Sequence, residues 1–261
     1  MKKITVLYSL ISCIIILYGC NTITGKENHI LEYKIPILSI QSLDMSSKMG
    51  ELGQSTPENE KTIICRVISI TQDGELILAE IGGNSSDLYC QTTEGFSIVW
   101  PRDSEENSIE SGMTIQIDYD GLVLETYPAQ LANTSRITVL QGKDNLCELY
   151  LHVLCDLWEK DENLNQNIIH LGVDLSNTRL SVSEQAGVAW AFGEHYGFSP
   201  LMGTFKELQE QGYFTDNEWK DGCLFSIEEK DLERSSQNTI IFDAKKWRNG
   251  DGAYYFTDCV A

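Results

Sequence analysis

Apolar and polar residues alternate along the stretch from residue 61 to residue 142. In GMTIQIDY, every second side chain from Met113 to Tyr119 is apolar, which is the pattern of a strand with one buried face. The other β-rich runs of this stretch are KTIICRVISI, GELILAEI, DLYCQT, FSIVW and SRITVL. An Asp-Gly pair follows Tyr119 and predicts a type I′ turn, and therefore a hairpin with the next strand. Short strands at this turn spacing favour a small closed β-barrel.

The hydrophobic period changes to three and four residues from residue 144 onward. The apolar face of a first helix of about four turns consists of Leu146, Leu149, Tyr150, Val153, Leu154, Leu157 and Trp158. A second helix is predicted from Ser181, which opens a capping box, to Gly197. A third begins with the same signal at Thr204 and stops at Gly212. Strand-like runs surround them, so we expect an α+β unit over residues 144–261 in which helices pack on an antiparallel meander.

Residues 1–19 have the order of a bacterial signal peptide. Two lysines precede an apolar stretch, Ile4 to Tyr18, which is followed by Gly19 and Cys20. A signal-peptide core has roughly 7 to 15 apolar residues, whereas a membrane-spanning helix needs about 20. The sequence Leu-Tyr-Gly-Cys resembles a lipobox, in which the cysteine receives diacylglycerol on sulfur before cleavage. We therefore expect Cys20 to be the lipidated first residue of an exported protein. Plain secretion and an uncleaved anchor are the alternatives.

Residues 20–60 are predicted to be a lipidated N-terminus and a flexible spacer. Mixed polar residues such as MSSKMGELGQSTPENEK carry little periodicity, which is typical of a segment that holds a folded part away from a membrane. The formal net charge of the chain is −20. Nucleic-acid affinity depends largely on Lys and Arg that displace counterions, so this acidity argues against nucleic acid as a partner. It also opposes binding to anionic lipid headgroups, so membrane attachment would depend on the lipid on Cys20.

Six of the eight cysteines lie beyond Cys20, namely Cys65, Cys90, Cys147, Cys155, Cys223 and Cys259. Cys147 and Cys155 lie in one predicted helix and are about 12 Å apart at 1.5 Å per residue, beyond the roughly 7 Å that a disulfide spans. The chain has no C-x-x-C motif, and its four histidines lack zinc-finger spacing. We expect thiols that are buried as small hydrophobic groups. A Cys65–Cys90 or a Cys223–Cys259 disulfide is the alternative, because an exported chain can form disulfides.

The stretch SGMTIQIDYDGLVLETYPAQLANTSRITVL resembles the closing half of a small OB-like domain of unknown function in bacterial lipoproteins of the YobA type. The shared features are a Gly-led strand, the YDG turn and the E-T-Y-P corner. This resemblance implies an OB-like β-barrel domain over residues 61–142 and carries no catalytic residues. OB barrels often bind oligonucleotides or oligosaccharides on one face. The candidate ligand-contacting residues of that face are Trp100, Arg102 and Tyr127.

The α+β unit of residues 144–261 resembles, through VAWAFGE and KKWRNGDGAYYFTDC, an uncharacterised domain of similar lipoproteins. The chain has no G-x-S-x-G, S-x-x-K, H-E-x-x-H or G-x-x-x-x-G-K motif, and WRNGDGAYY lacks the ligand pattern of an EF-hand loop. The sequence therefore favours a non-enzymatic lipoprotein of the cell envelope, anchored outside the membrane, without catalytic residues, metal or cofactor. Its expected partner is an envelope protein or a polysaccharide. The alternatives are an envelope hydrolase that acts through carboxylates and a structural adaptor.

Overall fold

A computed structural model describes residues 61–71, 74–83, 97–99, 109–126, 128–215, 217–230 and 239–261. These residues form two β-sheets and three α-helices, which confirms the predicted α+β class. The first sheet contains β1 (Lys61–Ile70), β2 (Leu76–Gly83), β3 (Ser97–Val99), β4 (Met113–Tyr119), β5 (Val123–Leu124), β6 (Ala129–Leu131) and β7 (Thr134–Lys143). The remaining elements are α1 (Leu146–Glu159), β8 (His170–Asn177), α2 (Val182–Tyr196), β9 (Pro200–Met202), α3 (Phe205–Glu210), β10 (Gly222–Lys230), β11 (Ile241–Trp247) and β12 (Ala253–Val260).

The strand order of the first sheet is β5-β6-β3-β2-β1-β4-β7. Strands β3 and β6 run parallel, and the other neighbours are antiparallel. The predicted strand KTIICRVISI coincides with β1. In this order β5 and β7 are the edges, so the described strands do not form the predicted closed barrel.

The predicted hairpin at Asp120-Gly121 is wrong. Strand β4 pairs with β1 and β7, whereas β5 pairs with β6. Gly121 does have the positive φ of 87° that a type I′ turn requires. However, the Asp120 carboxylate accepts hydrogen bonds from the Leu122 backbone N–H at 2.9 Å and from the Asn133 side chain at 2.7 Å. These bonds bend the chain from β4 into β5 and do not fold it back onto β4.

One face of the first sheet carries a core of alternating apolar side chains. Its buried members are Ile63, Cys65, Val67, Leu76, Leu78, Ile115, Ile117, Tyr119 and Leu131. Asp118 lies between two of them in β4 and is also buried. Its carboxylate accepts hydrogen bonds from Thr62, Gln116 and Arg136 at 2.8 to 3.1 Å, which compensate for the loss of water. The predicted alternation of β4 is therefore confirmed for its apolar positions.

The second sheet is mixed, with the order β12-β11-β10-β8-β9. Strands β10, β11 and β12 form the expected antiparallel meander. The predicted strand IIHLGVDLS overlaps β8, which extends this sheet and runs parallel to both β9 and β10. Helix α2 connects β8 to β9, and a helical crossover of this kind returns the chain in the same direction.

The predicted helices and their start signals are confirmed. Ser181 and Thr204 are the N-caps of α2 and α3, and each forms a complete capping box with the glutamate three residues later. Helix α2 ends at Gly197, which has a left-handed conformation. Helix α3 ends at Glu210, two residues before the predicted stop at Gly212. These helices end where local side-chain and glycine chemistry satisfies their free backbone groups.

Helix α2 packs against both sheets. Its Gly187 lies so close to β1 that an added Cβ would be 2.8 Å from a side-chain carbon of Ile68. Ile68, Ile77 and Ala79 therefore belong to the same buried cluster as the apolar faces of α1 and α2. The Glu80 backbone N–H also donates to the Ser183 hydroxyl at 2.9 Å. The proposed division into domains at residues 61–142 and 144–261 stays a prediction.

Candidate functional site

The site residues predicted from the sequence lie outside the described part of the chain. This applies to Cys20 and to Trp100, Arg102 and Tyr127. Within the described residues, no helix is long and apolar enough to cross a membrane. The remaining candidates are the charged, nucleophilic and exposed aromatic side chains that the two sheets position.

The described thiols are poor candidates for nucleophiles. Cys65, Cys147, Cys155, Cys223 and Cys259 are all free, so Cys223 and Cys259 form no disulfide. Burial raises the pKa of Cys155 to about 11 and that of Cys223 to about 12. It raises the pKa of Cys65 and of Cys147 further. Because the thiolate is the reactive form, these four groups are inert at neutral pH. Four of the five described thiols are buried as predicted.

Lys246 is a completely buried lysine. Its ammonium donates to the backbone carbonyls of Leu157 at 3.2 Å and of Trp158 at 3.1 Å, and also to that of Lys160. These carbonyls lie at the C-terminal end of α1, where the helix dipole favours a cation. Burial lowers the pKa of Lys246, but all three of its protons are used in these hydrogen bonds. Lys246 therefore caps α1 and is not available as a nucleophile.

A second buried charge, Glu229, connects three elements. Its carboxylate accepts from the Tyr150 hydroxyl at 2.5 Å, and from the backbone N–H and the Nε–H of Arg179, both at 2.8 Å. The side chain of Glu229 is only 1% exposed. Burial, followed by the hydrogen bond to Glu229, raises the pKa of Tyr150. With three donors on one carboxylate, this group joins α1, β10 and the segment after β8 and has a structural role.

Glu80 is buried without such partners. It is 6% exposed, and no hydrogen bond from the described residues reaches either of its carboxylate oxygens. Its neighbour across the β1–β2 pair is Cys65, a core residue of the first sheet. Burial raises the pKa of Glu80. Glu80 was not among the predicted site residues, although the alternation in LILAE places it on the same strand face as the buried Leu76 and Leu78.

The strongest candidate for a binding surface lies on the second sheet, on the face opposite α1 and α2. We call it the polar row, and it consists of Asp174 on β8, Ser226 on β10, Lys245 on β11 and Tyr255 on β12. Each of these residues is the direct partner of the next across the sheet. Residues paired in this way share one face. At about 4.8 Å between strands, the row spans roughly 14 Å.

The chemical groups of the polar row are largely available to a ligand. Tyr255 is 56% exposed, and the centroid of its ring lies 5.6 Å from the Lys245 ammonium, within cation–π distance. Among the described residues, no hydrogen bond or ion pair engages the polar ends of Ser226, Lys245 or Tyr255. Asp174 accepts from the backbone and hydroxyl of Ser176 through one oxygen.

Several neighbouring side chains of this face are already occupied, whereas Glu228, two residues from Ser226 on β10 and opposite Asp243, is exposed. On one side, Leu224 and Trp247 belong to an aromatic-rich buried cluster with Trp219. On the other side, Lys230 lies 2.7 Å from Asp243 and 2.8 Å from Asp258. The polar row is thus a strip of available groups between a packed cluster and a satisfied ion-pair network.

The three described histidines do not extend this site. His152 and His195 are exposed, and His170 stacks on Trp219 at the far end of β8. Over the ranges that the structure describes, no group of three or more His, Cys, Asp and Glu side chains is arranged to hold a metal ion.

Comparisons with known proteins do not extend this picture: no protein-family model matches the chain, and neither curated proteins nor solved structures give a significant match.

Proposed function

We propose that this chain is a lipid-anchored lipoprotein of the bacterial cell envelope that binds an extracytoplasmic ligand or partner without catalysing a reaction. The observation that carries the anchor is the order of two lysines, an apolar run of signal-peptide length, and Gly19-Cys20. A diacylglycerol on Cys20 supplies two acyl chains, which anchor stably where one chain does not. The chain is held at the membrane by this lipid, since its net charge of −20 opposes anionic headgroups.

The binding role rests on the polar row. It presents a carboxylate, a hydroxyl, an ammonium and a phenol side by side, and three of these polar ends have no hydrogen-bond or ion-pair partner among the described residues. The buried charges Lys246 and Glu229, in contrast, are fully used within the fold. A surface of this kind favours recognition over covalent chemistry.

The fold proposal for residues 61–142 is an OB-like, partly open barrel related to the YobA-type domain. Only residues 120–122 separate β4 from β5, and only residues 132–133 separate β6 from β7. We count β4 with β5 as one bent strand and β6 with β7 as another. Strand β1 then pairs with β2, β2 with β3, and β3 with the bent strand β6–β7. That strand pairs with β4–β5, which pairs with β1 and completes the cycle. A cycle of five strands supports the five-stranded Greek-key barrel.

Metabolic labelling with an alkyne fatty acid tests the anchor. We expect label on the wild-type protein, protease accessibility in cells stripped of their outer layers, and loss of both label and membrane association in Cys20→Ala. The matched control is Asn21→Ala, which changes the next residue, leaves the acceptor thiol in place and should keep the label. Label that persists in Cys20→Ala would contradict the proposal.

A further inference from the structure

We propose that the polar row binds a neutral polysaccharide, with Tyr255 as the platform for a sugar ring. This inference rests on the proposed binding function and names its surface and its ligand class. Tyr255 is more than half exposed on strand β12, at the edge of the second sheet. An aromatic face so placed offers flat apolar contact area at low entropic cost, while its hydroxyl keeps hydrogen-bonding capacity.

The hydrogen-bonding groups beside this ring suit a polyol. Lys245 is a donor, Asp174 is an acceptor, and the hydroxyls of Ser226 and Tyr255 are both. Sugar hydroxyls are themselves donors and acceptors, so each can find a partner along the row. The roughly 14 Å span of the row, with its partners on four adjacent strands, presents these groups in a line that an extended chain can follow.

The charges on and around the row disfavour polyanions and polycations as ligands. The four residues of the row include one cation and one anion, so the row itself is neutral, and the exposed carboxylate of Glu228 lies beside it on the same face. A polyanion would meet the repulsion of a chain with net charge −20 and, next to the row, the carboxylates of Asp243 and Asp258. A basic partner would be attracted by the overall charge, but it would leave the Lys245 ammonium against like charge. A neutral glycan meets neither penalty.

The binding experiment uses the full chain, purified in detergent micelles. Its probes are immobilised neutral glucans, mannans and xylans, with polygalacturonate and poly-lysine as charged polymers. We expect saturable binding to at least one neutral glycan. Tyr255→Ala should weaken it by about tenfold or more, as truncation of a central aromatic contact does. Tyr255→Phe keeps the ring and should weaken it only a few-fold, and Lys245→Ala should lower affinity to an intermediate degree.

Matched controls separate the row from the rest of the surface. Ile169→Ala removes another exposed apolar side chain, and Lys206→Ala removes an exposed lysine paired with Glu210. Both should bind as the wild type does. Glycan binding that is equal in Tyr255→Ala and wild type would overturn the assignment of the surface and leave the binding function standing. Binding to polygalacturonate or poly-lysine alone, or to none of the probes, would overturn the ligand class, while the lipid anchor is decided separately by the labelling of Cys20.

Discussion

Replacement of Glu80 by glutamine should stabilise this protein at neutral pH. Glu80 lies in an apolar layer opposite Cys65 and is 6% exposed, and its buried carboxylate has no hydrogen-bond partner among the described residues. A buried polar group without a partner costs about 1–3 kcal/mol, and a charged one costs more. Glutamine has nearly the same shape but no charge. We therefore expect Glu80→Gln to raise the free energy of unfolding by about 1–2 kcal/mol at pH 7.5.

The pH dependence of the stability gained in Glu80→Gln shows whether the gain comes from removing the charge or from a change in side-chain shape. Burial raises the pKa of Glu80 in the folded protein above its unfolded value of about 4.3. Below the unfolded pKa the group is neutral in both states and costs nothing through its charge. As the pH rises through the folded pKa, the unfolded state binds fewer protons than the folded state, and stability is lost. The advantage of Glu80→Gln should therefore be present at pH 7.5 and vanish at about pH 4.

Urea unfolding at both pH values, on protein that lacks residues 1–20, measures this effect. Glu80→Met should be more stable than wild type at both pH values, because it also removes the unpaired polar atoms. Glu228→Gln is the matched control: it removes an exposed glutamate from a strand and should change stability by no more than about 0.5 kcal/mol. If Glu80→Gln destabilises the protein at pH 7.5, the carboxylate has a partner in the folded protein. If the effect is the same at both pH values, the buried charge of Glu80 does not destabilise the fold.

Three further substitutions test the packing of the helices by urea unfolding. Lys246→Met removes the cap of α1 and leaves buried carbonyls without donors, so we expect a loss of about 2–4 kcal/mol; a loss below about 1 kcal/mol would mean that the contact is dispensable. Tyr150→Phe removes the 2.5 Å hydrogen bond to Glu229 and should cost about 1.5–3 kcal/mol, and an unchanged urea midpoint would contradict this. Gly187→Ala introduces a methyl group 2.8 Å from Ile68 and should cost about 1–3 kcal/mol. The double variant Gly187→Ala with Ile68→Ala should lose less free energy of unfolding than the two single variants lose together. Losses that add strictly would argue against the close approach of Gly187 and Ile68.

Local signals in the sequence predicted the helices, whereas the strand pairings depended on residues far apart. Ser181 and Thr204 predict the starts of α2 and α3, because all the groups that form a capping box lie within four consecutive residues. Asp120-Gly121 carries an equally local turn signal, but β4 pairs with β1 and β7 and not with β5, the strand that follows the turn. The parallel pairing of β8 with β10 is likewise invisible in the sequence, since helices and a third strand separate them. Among the buried charged residues, the burial of Glu80 was predictable from the apolar alternation of β2.

The polar row was beyond sequence reasoning because it depends on register. Lys245 and Lys246 are adjacent in the chain, and consecutive residues of a strand point to opposite faces. A slip of β11 by one residue would place Lys246 in the row and bury Lys245 against α1. The hydrogen bonds from Lys246 to the carbonyls at the end of α1 oppose that slip, and the ammonium of Lys245 then faces Tyr255. The contact that caps α1 thus also fixes which lysine is presented on the open face, so a structural residue determines the composition of the proposed binding surface.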